Sequence, residues 1–273
     1  MSAPPIAYFG GKTRLAGRIV AQLPDHEHYV EPFGGSLAVL LAKGRSRMET
    51  VNDLDGELMT FWRVLRDRPT ELARVCALTP HSRTEHQAAN AAVAEELEQA
   101  RRVWVQLTQG RAGLRAATGW RHYADPAGSG ASMPDYLQGY IGRMYIAAER
   151  LAGVSLECRP ALELIARYGR SPNVLLYVDP PYLGSTRFSG GYVHEMRSEG
   201  EHRELAAALH DCTASVVLSG YDSPLYTELY DGWHVSRINT TTGQGGTRQE
   251  RTEVLWSNRE PLDTLPFWQE VTS

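Results

Sequence analysis

Residues 28–33 form a short apolar run that stops at Gly34-Gly35, the signature of a buried strand closed by a tight turn. Residues 36–43 follow with helical spacing. A second strand is predicted over 49–52, ending at Asp53, and an amphipathic helix over 55–66. This β-α-β-α opening predicts an α/β fold, with a largely parallel sheet and helices on its faces. The pattern then turns helical over 82–105, which is rich in Ala, Glu and Gln. It becomes Gly- and Arg-rich over 110–132, predicting a loop, and helical again over 136–151. Strand character returns at 174–178 and runs into Asp179-Pro180-Pro181-Tyr182. A helix over 199–212, a strand over 215–218 and strands near 235–238 and 253–256 complete the reading. The simplest organisation is a core of residues 1–76 and 166–273 split by a helical insert, 77–165.

Composition changes this picture little. The 273 residues are 42% hydrophobic and 22% charged, ordinary for a globular chain able to bury a core without staples. Cys76, Cys158 and Cys212 fit no metal or redox spacing and read as reduced thiols. No apolar leader or membrane-length stretch is found, so a soluble protein that stays in the cytoplasm is expected. The net charge of -4 argues mildly against a nucleic-acid partner, but the charge is segregated. Between residues 101 and 124 lie Arg101, Arg102, Arg111, Arg115 and Arg121 and no acid. That segment suits phosphates; it would equally serve as a solvated face.

Four pieces carry candidate chemistry. Two prolines cannot continue a paired strand, so Pro180 and Pro181 end one rigidly at the carboxyl edge, where open α/β sheets bind ligands. A fixed carboxylate, a carbonyl and an aromatic face then stand together. Asp179 and the Pro180 carbonyl can accept two N–H bonds from an amine on a flat ring, with Tyr182 stacked on that ring. The same tetrapeptide would also serve as a strand-ending turn with a capping aspartate. Glu31-Pro32-Phe33-Gly34-Gly35 follows the first strand, its glycines permitting close approach to a nucleotide-like ligand. Asp53 ends the next strand at a spacing suited to ribose hydroxyls, or to a helix cap. Tyr8-Phe9-Gly10-Gly11-Lys12 resembles the end of a phosphate loop, but Ile6 stands where the required glycine would be. Lys12 is suited instead to the carboxylate of an amino-acid ligand.

In this order the four pieces resemble the Dam-like, alpha-group adenine-N6 DNA methyltransferases. The likeness continues through Leu218-Ser-Gly-Tyr-Asp222, Gly245-Gly-Thr-Arg248 and Glu253-Val-Leu-Trp256, and covers nearly the whole chain except the insert. The resemblance implies a Rossmann-like S-adenosylmethionine-dependent methyltransferase sheet, with target recognition in the helical insert. It places Tyr8, Gly10, Gly11, Lys12, Glu31, Phe33, Gly35, Asp53 and Asp179 around the cofactor. Asp179, Pro180, Pro181 and Tyr182 fall at the target amine. Arg101, Arg102, Arg111, Arg115, Arg121 and Arg248 become candidate DNA contacts. No metal is required. The partner implied is double-stranded DNA with the adenine flipped from the stack, in a bacterium or phage-infected host. A restriction endonuclease is implied if the enzyme belongs to a restriction-modification pair, and a monomer is the default state. Leu37 stands where many relatives have a second glycine, which predicts a tighter turn or narrower pocket. The insert lacks the arginine- and asparagine-rich hairpin of a close GATC-methylating relative. Competing readings are transfer to cytosine N4, an RNA base or a protein amide, and a silent DNA-binding protein of the same fold.

Overall fold

The computed structural model describes residues 2–115, 118–125, 130–182, 196, 198–244 and 247–260, and for 240–244 and 247–251 the backbone alone. Seven strands form one sheet: β1 (His28–Glu31), β2 (Met48–Asn52), β3 (Ser155–Glu157), β4 (Val174–Val178), β5 (Ser215–Gly220), β6 (His234–Gln244) and β7 (Thr247–Ser257). Their order is β3-β2-β1-β4-β5-β7-β6. The first five pair in parallel, while β7 runs antiparallel to β5 and carries β6 as its hairpin partner. Parallel strands are buried on both faces, and Val-Leu-Leu-Tyr-Val of β4 is buried at every position.

Successive strand residues feed opposite cores. Tyr29, Leu175, Tyr177 and Val217 join one core with α1 (Ala16–Val20), α2 (Ala38–Ala42), α3 (Gly56–Asp67), α4 (Pro69–Leu78), α6 (Glu96–Gln109) and α8 (Met144–Leu151). Val30, Leu176, Val178 and Leu218 join the other, with α9 (Ala161–Tyr168), α10 (Glu199–His210) and α11 (Pro224–Leu229). Two shorter elements, α5 (Arg83–Ala88) and α7 (Met133–Ile141), complete the helical side.

Helix starts follow capping chemistry. The Asp55 carboxylate accepts from the Glu57 and Leu58 amides at α3, and Ser198 with Glu201 forms a reciprocal box at α10. The single helix expected over 82–105 is two helices. Asn90 turns its amide back onto the His86 and Gln87 carbonyls, which ends α5, and the Glu95 carboxylate caps a fresh start at α6. The helix expected over 136–151 starts at Met133, capped by Ser132, and breaks at Gly142-Arg143.

The insert boundary at 165 moves. Ser155–Glu157 pairs in parallel with β2, and α9 packs against β4 and α10, so residues from 155 onward belong to the sheet. The helical segment also has no core of its own. Trp104 of α6 and Trp62 of α3 are both fully buried in one cluster with β1 and β2. Among the described residues no helix is long and apolar enough to cross a membrane.

Candidate active site

The strand order reverses between β1 and β4, so the loops leaving their carboxyl ends diverge and open a crevice. A cavity of about 350 Å³ fills it. Its walls come from Tyr8–Lys12, from Glu31–Ser36 after β1, from Asn52–Asp55 after β2, and from Arg159–Leu162 after β3. Tyr177 of β4, Asp179 and Pro181 just after it, Ala38 and Val39 of α2, Met196, and Glu201, Glu204 and Leu205 of α10 complete them. All nine residues that the sequence places at a cofactor line this one cavity. Of the Asp179–Tyr182 tetrapeptide, Asp179 and Pro181 line it, while Pro180 and Tyr182 do not.

The glycines are required by the chain's own close packing. Gly35 has φ +48°, and a Cβ there would lie 2.7 Å from the Tyr8 ring. A Cβ on Gly34 would meet Leu37 at 2.8 Å and the Asn52 carbonyl at 2.9 Å. Leu37 itself adopts the left-handed conformation, φ 54°, which explains why glycine suits the position. Its side chain is buried and does not line the cavity.

Asp53 is held from two sides: the Gly35 amide donates to one oxygen and the Asp55 amide to the other, each at 2.9 Å. Asn52 beside it joins two walls. Its amide donates to the Pro32 and Arg159 carbonyls at 2.8 and 2.9 Å, and its oxygen accepts from the Arg159 amide at 2.8 Å. The Trp62 indole donates to the Gly35 carbonyl at 3.0 Å, fixing the turn from below.

A buried charge cluster stands at the end of β4. Lys12 Nζ donates to Asp179 Oδ1 at 2.8 Å and to the Gly10 carbonyl at 3.0 Å. Glu253 Oε1 lies 3.7 Å from the same ammonium and accepts from Ser219 Oγ at 2.6 Å and from the Tyr182 hydroxyl. Burial pushes the Asp179 carboxyl up, Lys12 pulls it down and Glu253 raises it again, leaving it at about 6. Glu31 is pushed up by burial to about 7, against hydrogen bonds from the Tyr29 hydroxyl and the Leu40 amide. The Tyr182 ring that the sequence offers to a base is buried; Lys12 Nζ sits 4.8 Å from its centroid and Tyr221 packs edge-on at 4.6 Å.

The arginines divide. Arg101 bonds Glu98, Glu85 and Thr79, and Arg102 bonds Glu98 and the Ala91 carbonyl. Arg115, 9% exposed, pairs with Asp55 and Glu57 at the cavity's edge. These three charges are committed within the chain, against their expected role on phosphates. Arg111 is exposed. Arg121 stacks over Tyr136, 4.6 Å from the ring, and donates to the Tyr123 hydroxyl. The Arg248 side chain lies outside the described residues, as do Gly245 and Gly246.

The family model described as D12 class N6 adenine-specific DNA methyltransferase matches residues 8–243. The chain belongs to this family. A type II methyltransferase, M1.LlaDCHI, of Lactococcus lactis subsp. cremoris is 26% identical, with 93% of this chain and 95% of the relative covered. The DNA adenine methylase of Escherichia coli strain K12 is 24% identical over 92% of this chain and 93% of its own. A methyltransferase structure from Agrobacterium tumefaciens overlaps 89% of this chain and 59% of its own, with a TM-score of 0.38 and 12% identity.

The adenine methyltransferase uses S-adenosylmethionine, and the cavity fits that cofactor. Asp53 presents a carboxylate held by two amides where ribose hydroxyls can donate, and Leu54 and Phe33 give apolar walls. The sequence missed several residues of this methyltransferase site. Glu253 and Ser219 lie far from Asp179 along the chain; the pairing of β5 with β4 brings Ser219 there, and that of β7 with β5 brings Glu253. Asn52 and the Arg159–Leu162 wall carried no motif. The aromatic groups around Arg121 were also overlooked: His81, Trp120 and His122 stack with centroids 4.4 and 5.1 Å apart, and Arg83 lies over Trp120. Alternation of aromatics with arginines was the available signal.

Proposed function

We propose that Asp179 and the Pro180 carbonyl hold the N6 amine of a flipped adenine at the mouth of the cofactor cavity. Asp179 carries this reading: it ends β4 at the crevice and lines the same cavity as Asp53 and Glu31. Adenine N6 is a poor nucleophile because its lone pair is delocalised into the ring. Two hydrogen bonds accepted from the amine draw that nitrogen toward tetrahedral geometry and free the lone pair. Bound S-adenosylmethionine supplies an electrophilic methyl group on a sulfonium sulfur. Positive charge develops on N6 as the new bond forms and the sulfonium becomes a neutral thioether; the fixed Asp179 carboxylate stabilises that charge, and one N6 proton is then lost to solvent. Holding both reactants in line supplies much of the remaining acceleration. Asp53 binds the ribose, and the walls at Tyr8 and Phe33 hold the rest of the cofactor.

The target base must leave the duplex to reach this crevice. The helical segment from about 79 to 154 is the proposed recognition unit, with Arg111, Arg121 and the surrounding aromatics as its DNA surface. Its loop joins the cofactor wall directly, since the Phe9 amide donates to the Gly113 carbonyl at 2.9 Å. The acting unit proposed is one chain on duplex DNA in the bacterial cytoplasm. A cognate endonuclease belongs to the proposal because the Lactococcus relative is named a type II methyltransferase.

The test uses tritiated S-adenosylmethionine and unmethylated duplex DNA, digested to nucleosides. Label is expected in N6-methyladenine, and Asp179→Ala is expected to abolish it while leaving the melting curve cooperative. Near-normal transfer by a folded Asp179→Ala protein would remove Asp179 from the mechanism.

A further inference from the structure

Glu253 has no part in the mechanism just described, yet it is as enclosed as Glu31, 3% exposed against 2%. It stands on β7 one residue beyond the pairing with β5. Two neutral donors fix it: Ser219 Oγ from the end of β5 and the Tyr182 hydroxyl. Such an arrangement costs desolvation of an anion and returns no packing, so it calls for a cation. Lys12 is that cation, but its closer partner is Asp179, at 2.8 Å against 3.7 Å.

The difference matters once an amine arrives. Asp179 must turn toward one N–H of the amine, the Pro180 carbonyl taking the other, and then toward a nitrogen gaining positive charge. An ammonium held on the same carboxylate opposes that charge. We propose that Glu253 is a positioning residue that takes the Lys12 ammonium from Asp179 when the target amine binds. The required travel is about 1 Å, to reach ordinary hydrogen-bond distance. Lys12 keeps its bond to the Gly10 carbonyl as an anchor and moves across the Tyr182 ring. Ser219 and Tyr182 hold the receiving carboxylate still. Two carboxylates and one ammonium leave one negative charge in excess, the complement of a sulfonium or of methylated nitrogen.

The inference rests on Asp179 as the amine acceptor and is tested separately from it. Glu253→Gln keeps an oxygen for Ser219 and Tyr182 but removes the charge. At saturating cofactor and DNA, kcat is expected to fall roughly 10²-fold. The acid limb of the kcat profile is expected to move to lower pH. Asp179 faces Lys12, Tyr182, Glu253 and Tyr177, and its charge reaches Glu31 and Tyr226; of these, Glu253 and Glu31 are the anions, and one is removed. Glu253→Asp retains the charge and is expected to keep the wild-type limb and recover part of kcat. A folded Glu253→Gln enzyme with unchanged kcat, or with reduced kcat and an unmoved limb, would overturn the inference. If Asp179→Ala is inactive in the same assay, that result sinks the role of Glu253 alone. Should Glu253→Gln fail to fold, Ser219→Ala decides: it loosens the receiving carboxylate, and kcat is expected to fall several-fold, whereas unchanged kcat overturns the proposal.

Discussion

Glu31 accepts from the Tyr29 hydroxyl at 2.6 Å and the Leu40 amide at 2.9 Å, both neutral donors, in a buried setting. Its carboxyl is raised from 4.5 to about 7. A raised carboxyl favours the fold while protonated; that contribution is complete below 4.5 and is lost as pH rises through about 7. The size is on the order of 3 kcal/mol. Half-buried His26 and His28 and buried His86, all lowered from 6.5, act in the opposite sense, losing their contribution as pH falls. Comparison with Glu31→Gln isolates the carboxyl, since glutamine retains the acceptor oxygen. Urea unfolding without cofactor is expected to show the variant gaining on wild type between pH 5 and 8; parallel curves would contradict the assignment. At this scale the sequence yielded the residues that sit in local motifs: Tyr8, Lys12, Glu31, Asp53 and Asp179. It did not yield Asn52, whose three hydrogen bonds reach residues 20 and 107 positions away. Nor did it yield Glu253, because cross-strand register has no local signature.

β4 was readable because parallel-sheet burial makes it apolar throughout, and β1, β2 and β5 begin within a residue of where the pattern put them. Helix interruptions were not, since Asn90, Glu95 and Gly142 act through hydrogen bonds that composition does not display. β3 escaped because it is three residues long with no buried position. Residues 101–121, on α6 and in the loop after it, show why counting arginines misleads: three of five are paired with acids on α5, on α6 and at the start of α3. Salt-dependent DNA binding separates the groups. Arg121→Ala is expected to lower the slope of log K against log salt by about 1. Arg102→Ala should leave the slope unchanged. Tyr136→Ala, which removes a ring 41% exposed, should weaken binding by about 1–3 kcal/mol at constant slope if it stacks on a base. Equal slopes for Arg121→Ala and wild type would remove Arg121 from the phosphate contacts.

The described residues form two cores separated by one sheet, and the helices between β2 and β3 share the first of them with the cavity side. Trp62 and Trp104 lie in that core, and Trp62 also holds the Gly35 turn. The helical segment is therefore no appendage. Far-UV circular dichroism and tryptophan fluorescence are expected to report one coincident unfolding transition; two separated transitions would show that the segment folds alone. The order β3-β2-β1-β4-β5-β7-β6 also gathers stretches of chain from Tyr8–Lys12 to Glu201–Leu205 at one crevice, which is why motifs far apart in sequence line one cavity. The excess negative charge at Lys12, Asp179 and Glu253 bears finally on turnover. The incoming cofactor is a cation at sulfur, and the spent one is a neutral thioether. A pocket of this polarity is expected to favour the first over the second, which the inhibition constant of the spent thioether against the affinity of the cation would measure.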